Sequence, residues 1–235
     1  MSTQKIDRSM MSLALAALTM LACAPGESGT AFAKSAPATN AEVIPASPSP
    51  VSTQGATLRF VLAPAEQTAR YRVRERLVGH DLPNDAVGET KSITGAIAFD
   101  SKGNVVLQES KFVVDAGTFV SDKNRRDGFV RGRLLAADEY PSIVLVPTAV
   151  RGVGLPLPTS GSRAIEMTGD LTVRGVTRPT TWKGTVEFKD GRVAGSAATA
   201  FTFDDFQIEQ PRVPVLLSVA DTIRLEVDFN LLPQR

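Results

Sequence analysis

From Ala56 onward, apolar and polar residues alternate with a period of two through most of the chain. Tyr71, Val73 and Leu77 alternate with Arg70, Arg72, Arg74 and Arg76. Ile93, Ile97 and Phe99 alternate with Ser92, Thr94 and Ala98. The same rhythm runs through Ile165–Val173, Trp182–Phe188 and Ile223–Leu231. A period of two puts successive side chains on opposite faces of a strand, so each of these stretches has one apolar and one wet face. Further strands are predicted at Thr57–Leu62, Val105–Asp115, Ser142–Val150 and Val193–Phe203. Turn-forming residues separate them at Asp100–Asn104, Arg174–Pro179 and Lys189–Arg192. About nine strands in roughly 180 residues suit one antiparallel barrel or sandwich. Two stretches break the rhythm. Ser121–Tyr140 reads as a short helix or two helical turns, stopped by Pro141. Asp204-Asp205-Phe206 reads as a single turn.

The first 55 residues have no such pattern. Lys5 and Arg8 precede an uncharged run from Met10 to Ala24, the arrangement of a secretory signal spanning residues 1–33. Two processing routes fit it. Ala31-Phe32-Ala33 matches the small-x-small cleavage rule and releases a soluble protein. Met20-Leu21-Ala22-Cys23 resembles a bacterial lipobox, which would make Cys23 the site of a lipid anchor. Residues 34–55 are rich in Pro, Ala, Ser and Thr and read as an extended linker. Residues 56–235 are the β domain. The expected location is the periplasm or the exterior of a bacterium, as a soluble or a membrane-anchored form.

Composition narrows the chemistry. With 26 basic and 25 acidic residues, the net charge of +1 argues against non-specific nucleic-acid binding. One Cys and one His exclude a disulfide framework and a multi-Cys or multi-His metal site. No cofactor and no metal are predicted. His80-Asp81 sits in a loop beside Leu82-Pro83, with no nucleophile motif anywhere to serve. Asp204-Asp205 suits the start of a helical turn better than a cation site. Glu75 falls in the apolar phase of its strand. It is either a buried carboxylate that needs a partner or the mark of a local bulge. Arg125-Arg126-Asp127 with Arg131 and Arg133 forms a basic cluster. Arg donates through a planar fork that suits phosphate, and Arg126 could equally be held by a carboxylate.

Three segments carry a family resemblance. The run from Arg126-Asp127 through Phe129, Arg131 and Leu134-Leu135 to Tyr140-Pro141 resembles the first signature of the YceI-like proteins. Phe129 and Gly132 stand where that signature has His and a small Ser. Gly169–Pro179 closely resembles the second signature, and Phe203–Ile208 a later segment. The likeness covers Ala56 to Leu232. It implies an all-β, eight-stranded antiparallel lipocalin-like β-barrel with a long apolar tunnel, binding a polyisoprenoid such as a quinone tail or polyprenyl phosphate. An enzyme is not predicted. The alternative is a stress-related periplasmic barrel with a filled core. A monomer is expected, with a dimer as the alternative, and membrane contact only through the anchor.

Strand phase then assigns the inward set as Phe99, Val114, Leu145, Met167, Leu171, Trp182, Val186, Phe201, Leu225 and Val227. Val114 and Leu145 lie in strands apolar in both phases. Gly95, Gly169, Gly184, Ala197 and Thr199 share that phase; they either leave room in the bore or, for the glycines, mark bends where the barrel coils. Glu75, Arg126 and Arg131 are the candidates for a ligand head group. Arg70, Arg72 and Arg74 are expected to face outward.

Overall fold

A computed structural model describes residues 58–64, 66–79 and 81–234. The expected secretory segment with Cys23, the expected linker and His80 lie outside the described residues. The strands are β1 (Leu58–Leu62), β2 (Thr68–Leu77), β3 (Asn84–Thr90), β4 (Ile93–Phe99), β5 (Lys111–Asp115), β6 (Val120–Ser121), β7 (Ser142–Arg151), β8 (Ser160–Val173), β9 (Val176–Lys189), β10 (Arg192–Thr202) and β11 (Leu216–Gln234). Eight of them close into an antiparallel ring in the order β1-β4-β5-β7-β8-β9-β10-β11, with β11 returning to β1. The fold is the expected lipocalin-like barrel. β11 is long enough to serve two partners on one side. Its first half pairs β2 from Leu216 to Asp228, and its last residues pair β1 from Leu231 to Gln234. β2 in turn pairs β3, and β3 pairs β6, as a flange on the ring.

Alternation sets the inside and outside of each strand. On β9, Trp182, Val186 and Phe188 are buried while Lys183, Glu187 and Lys189 are exposed. Two-residue turns join β8 to β9 and β9 to β10. Arg174-Gly175 and Asp190-Gly191 have positive φ at both positions, the turn geometry whose twist matches that of the flanking strands. Asp100 closes the turn after β4 by accepting from the backbone N–H groups of Lys102 and Asn104, each at 2.8 Å.

Two expectations need correction, and one strand, β3, was not predicted. Val105–Asp115 is not one strand. Ser110 is buried, and its Oγ accepts from the Ala98 N–H at 3.0 Å, taking a place that a backbone carbonyl would fill in a regular ladder. A 3₁₀ turn at Leu107–Glu109 takes up the slack, and β5 starts only at Lys111. β3 was hidden in the sequence because its inner face is small: Ala86 and Gly88 stand opposite Val73 and Tyr71. The turn after β8 ends at Gly175, so Thr177–Pro179 belong to β9. The helical stretch is α1 (Asn124–Phe129) followed by one π-helical turn (Val130–Leu134), in which Leu135 N–H donates to the Val130 carbonyl at 2.8 Å. The single turn at Asp204–Phe206 is present as a 3₁₀ turn. It drops Phe206 into the end of the barrel, where it is 1% exposed among Phe203, Ile208 and Ile223.

On the outer face, Arg70, Arg72 and Arg74 join three strands by charge. Arg70 lies between Glu89 (3.1 Å) and Asp228, and Arg72 between Asp85 (3.2 Å) and Glu226 (3.5 Å). Arg74 reaches Asp85 alone at 3.0 Å. Hydrogen bonds from Arg74 and then Arg72 hold the Asp85 carboxyl below its ordinary range. Exposed pairs contribute little one at a time, whereas a side chain shared by two carboxylates contributes more. Arg74→Ala is expected to change stability by no more than about 0.5 kcal/mol, and Arg70→Ala or Arg72→Ala by about 1 kcal/mol. Denaturant melts at low and at 1 M salt check this, since the larger losses should shrink as salt screens the pairs.

Candidate functional site: an apolar bore with a polar end

The ring encloses a cavity of about 190 Å³. Its lining is apolar except at Arg70 and Glu226, whose charged ends belong to the surface ladder. On β8 the lining runs from Ile165 to Leu171 and on β9 from Trp182 to Phe188, six residue steps in each case. At strand rise that is a bore about 20 Å long. The space is therefore narrow and extended. An apolar void of this size does not retain water, because water there finds no polar partner.

Nine of the ten residues assigned inward border this space: Phe99, Val114, Leu145, Met167, Leu171, Trp182, Val186, Leu225 and Val227. Phe201 does not. Its ring packs edge-on against Phe206, with centroids 4.6 Å apart, so it serves the plugged end instead. Period-two reasoning missed Phe119, Val153 and Leu157, which line the cavity from segments without strand rhythm. Phe60, Phe112 and Phe188 could have been found, since each lies in an alternating or apolar strand. Trp182 settles its indole N–H on Thr180 Oγ1 at 3.0 Å, so its bulk faces the bore without an unmet donor.

The glycines do not widen the bore. A Cβ on Gly184 would lie 2.0 Å from the Ser196 carbonyl oxygen of the neighbouring strand. On Gly169 it would meet the Val146 carbonyl oxygen at 2.8 Å. Glycine is required there so that adjacent strands can approach at a bend. Ala197 does border the cavity, while Thr199 is buried without lining it. Gly184→Ala is expected to cost about 3 kcal/mol in a denaturant melt, as steric overpacking does.

The three head-group candidates cluster near one end, and none of them lines the cavity. Glu75 does point inward and is 7% exposed. Its Oε1 accepts from Arg126 Nη2 at 2.7 Å and from Asn84 Nδ2 at 3.3 Å. Arg126, on α1, also pairs with Asp122. Its fork is thus held by two carboxylates and is not open to receive phosphate. Asp127 is buried beneath it and accepts from the N–H and Oγ of Ser121, fixing the start of α1. Arg131 donates to the Phe119 carbonyl at 3.3 Å. Tyr71 links this group to the bore. Its ring lies 5.7 Å from that of Phe119, a lining residue, and over Gly88, where a Cβ would be 2.3 Å from the ring. Burial pushes the Tyr71 phenol up to about 12, against the pull of Arg126. Among the described residues no group of three or more His, Cys, Asp or Glu side chains is placed to hold a metal ion.

A closed antiparallel barrel with an apolar bore is the architecture of barrels that enclose one slim ligand or fill with side chains. A YceI-like domain model matches residues 60–231, and the chain belongs to the YceI-like family. A UPF0312 protein of Pseudomonas putida is 34% identical over 157 residues, covering 63% of this chain and 74% of that protein. A UPF0312 protein of Pseudomonas savastanoi is 28% identical over 149 residues, covering 61% and 71%. Among solved structures, a polyisoprenoid binding domain from Saccharophagus degradans superposes with a TM-score of 0.60 at 12% identity, covering 75% of this chain and 99% of that one. Burkholderia cenocepacia BcnA gives 0.53 at 16% identity, covering 72% and 98%. At these identities the likeness to the two structures is one of fold.

The Tyr71 environment predicts a pH effect. The folded phenol ionises near 12 and the unfolded one near 10. Stability is therefore complete below pH 10 and falls as pH rises from about 10 to about 12, by roughly 2–3 kcal/mol. Phenolate absorbance of the folded protein should show a late step that Tyr71→Phe removes, leaving Tyr140 alone. If the step removed by Tyr71→Phe instead lies near 10, the ring is in water.

Proposed function

We propose that this protein binds a polyisoprenoid or similarly long, slim apolar lipid in the barrel and carries or sequesters it outside the cytoplasm. The observation that carries this reading is the shape and chemistry of the cavity: about 190 Å³, some 20 Å long, with no charged group ending inside it. That volume is below the range of drug-sized pockets, so a bulky ring system fits poorly and a hydrocarbon chain fits well. Each CH₂ taken from water contributes about 0.8 kcal/mol, and an isoprenoid tail has no hydrogen-bonding group to satisfy along its length. The fold shared with a domain described as polyisoprenoid binding supports the same reading. The basic start and apolar run at residues 5–24 support export.

The head group falls to the polar end beside Tyr71 and Phe119. Two carboxylates against one guanidinium make the Glu75–Arg126–Asp122 group a poor anion receptor and a fair partner for a quinone carbonyl or an alcohol. Arg131, which has no carboxylate partner among the described residues, is the cation a polyprenyl phosphate would meet.

The test uses the exported protein. Solvent extraction and mass spectrometry should recover one class of long-chain lipid, and its head group decides between the two chemistries. Trp182 is the single tryptophan and borders the bore, so added farnesol should change its fluorescence in the stripped protein. Ala197→Phe fills the space and should abolish both signals while costing about 1–3 kcal/mol of stability. A folded wild-type protein with no extractable lipid and no tryptophan response would favour the structural barrel instead.

A further inference from the structure

The end of the barrel that carries the polar group also carries an exposed apolar lip. It is built from two segments held together by backbone pairing. The β2–β3 hairpin continues past Leu77, which pairs Leu216, and the Val78 N–H donates to the Val215 carbonyl at 3.0 Å. Val78, Leu82, Val215 and Leu217 project here, 56%, 78%, 59% and 59% exposed. The other large exposed apolar residues, Leu107, Val120 and Leu155, lie elsewhere. Exposed apolar side chains cost little when scattered, but a contiguous set rimmed by polar groups marks a contact surface.

The rim is basic. Arg76 stands next to the lip and pairs Ser218 in register, while Arg212 lies on the loop leading into β11. Arg125, exposed on α1, is brought to the same end by the Arg126–Glu75 pair. Among the described residues none of these three arginines has a carboxylate partner. The acidic side chains near them are Asp81 at the hairpin tip, Glu209 three residues before Arg212, and Asp122, which is taken up by Arg126. Apolar side chains that can enter the acyl boundary, flanked by unpaired cations at headgroup level, are the two requirements of interfacial binding. A second copy of this chain fits less well. A symmetric contact through this lip would set Arg76 and Arg212 against their own counterparts.

We propose that the lip formed by Val78, Leu82, Val215 and Leu217, with Arg76 and Arg212, docks this end of the barrel onto an anionic lipid bilayer. Membrane contact then does not depend on an anchor at Cys23. The inference extends the lipid-binding reading but stands on separate residues, none of which lines the cavity.

The test is vesicle flotation of the exported protein bearing Cys23→Ser, so that no acyl chain contributes. Vesicles of phosphatidylcholine alone are compared with vesicles holding 30% phosphatidylglycerol. The wild-type surface should bind the anionic vesicles, more weakly in high salt, and bind the neutral ones poorly. Leu82→Ser/Val215→Ser/Leu217→Ser should lower binding at least tenfold. Arg76→Gln/Arg212→Gln should lower it on the anionic vesicles by roughly fivefold per arginine. Leu107→Ser at the opposite end should leave it unchanged. All variants replace exposed residues, and retained melting curves check folding. Equal binding by lip variants and wild type overturns the proposal, as does wild type that binds neither vesicle. Loss of a wild-type dimer in the lip variant, seen by sedimentation without vesicle binding, would assign the lip to self-association. Capture of a protein partner through the lip without vesicle binding would overturn it equally. Lipid extraction reads the bore alone, so failure of either idea leaves the other measurable.

Discussion

The narrowness of the bore rests on how closely neighbouring strands approach. At Gly184 and Gly195 an added Cβ would lie 2.0 and 2.4 Å from the backbone oxygen of the next strand. No side chain of any kind fits at such contacts, so β9 and β10 coil tightly against each other. Strand tilt and stagger in a closed barrel are linked, and local coiling therefore sets the diameter of the whole ring. Large inward side chains such as Phe60, Phe112, Trp182 and Phe188 then meet across a space wide enough for a chain and too narrow for a globular ligand. The glycines act through the backbone, and the lumen is shaped by the aromatic residues.

This explains which parts of the molecule were legible from sequence. Strands buried on one face and wet on the other announce themselves by alternation, and β8, β9 and β11 do so over long stretches. Seven residues bordering the bore followed from phase alone, while Val114 and Leu145 lie in strands whose two faces are both apolar. Phe201 did not, because its phase is right while its height in the barrel puts it over Phe206 rather than over the bore. β3 was invisible because Tyr71 fills the space above Gly88, so the strand needs no large residue of its own. The break before β5 depends on one hydroxyl, Ser110 Oγ, competing for a backbone donor, and nothing in the local pattern signals that. The lining from Phe119, Val153 and Leu157 comes from loops, whose path is fixed by what they cover.

The polar end shows how a charge is kept inside an otherwise apolar barrel. Glu75 was recognisable as out of place, and of the two readings its phase allowed, the buried carboxylate is the one found. Its partner lies 51 residues away on α1, a pairing that strand reasoning has no means to reach. Removing either member would strand the other at low dielectric, which costs more than the intact pair contributes. The pair thus fixes α1 to β2, and Tyr71 sits at the join between this group and the bore.

Ring closure has a consequence for the order of events in folding. Arg59 on the first strand donates to the side chain of Gln234 on the last, across 175 positions. Contacts so distant in sequence form slowly, since a long loop must be closed before they reward it. The hairpins β8–β9 and β9–β10 are local and can form early, yet no enclosed bore exists until β11 meets β1. Until β11 reaches β1, the chain presents an open, apolar half-barrel. Any lipid must therefore be captured during this closing step or enter afterwards through an end of the finished ring.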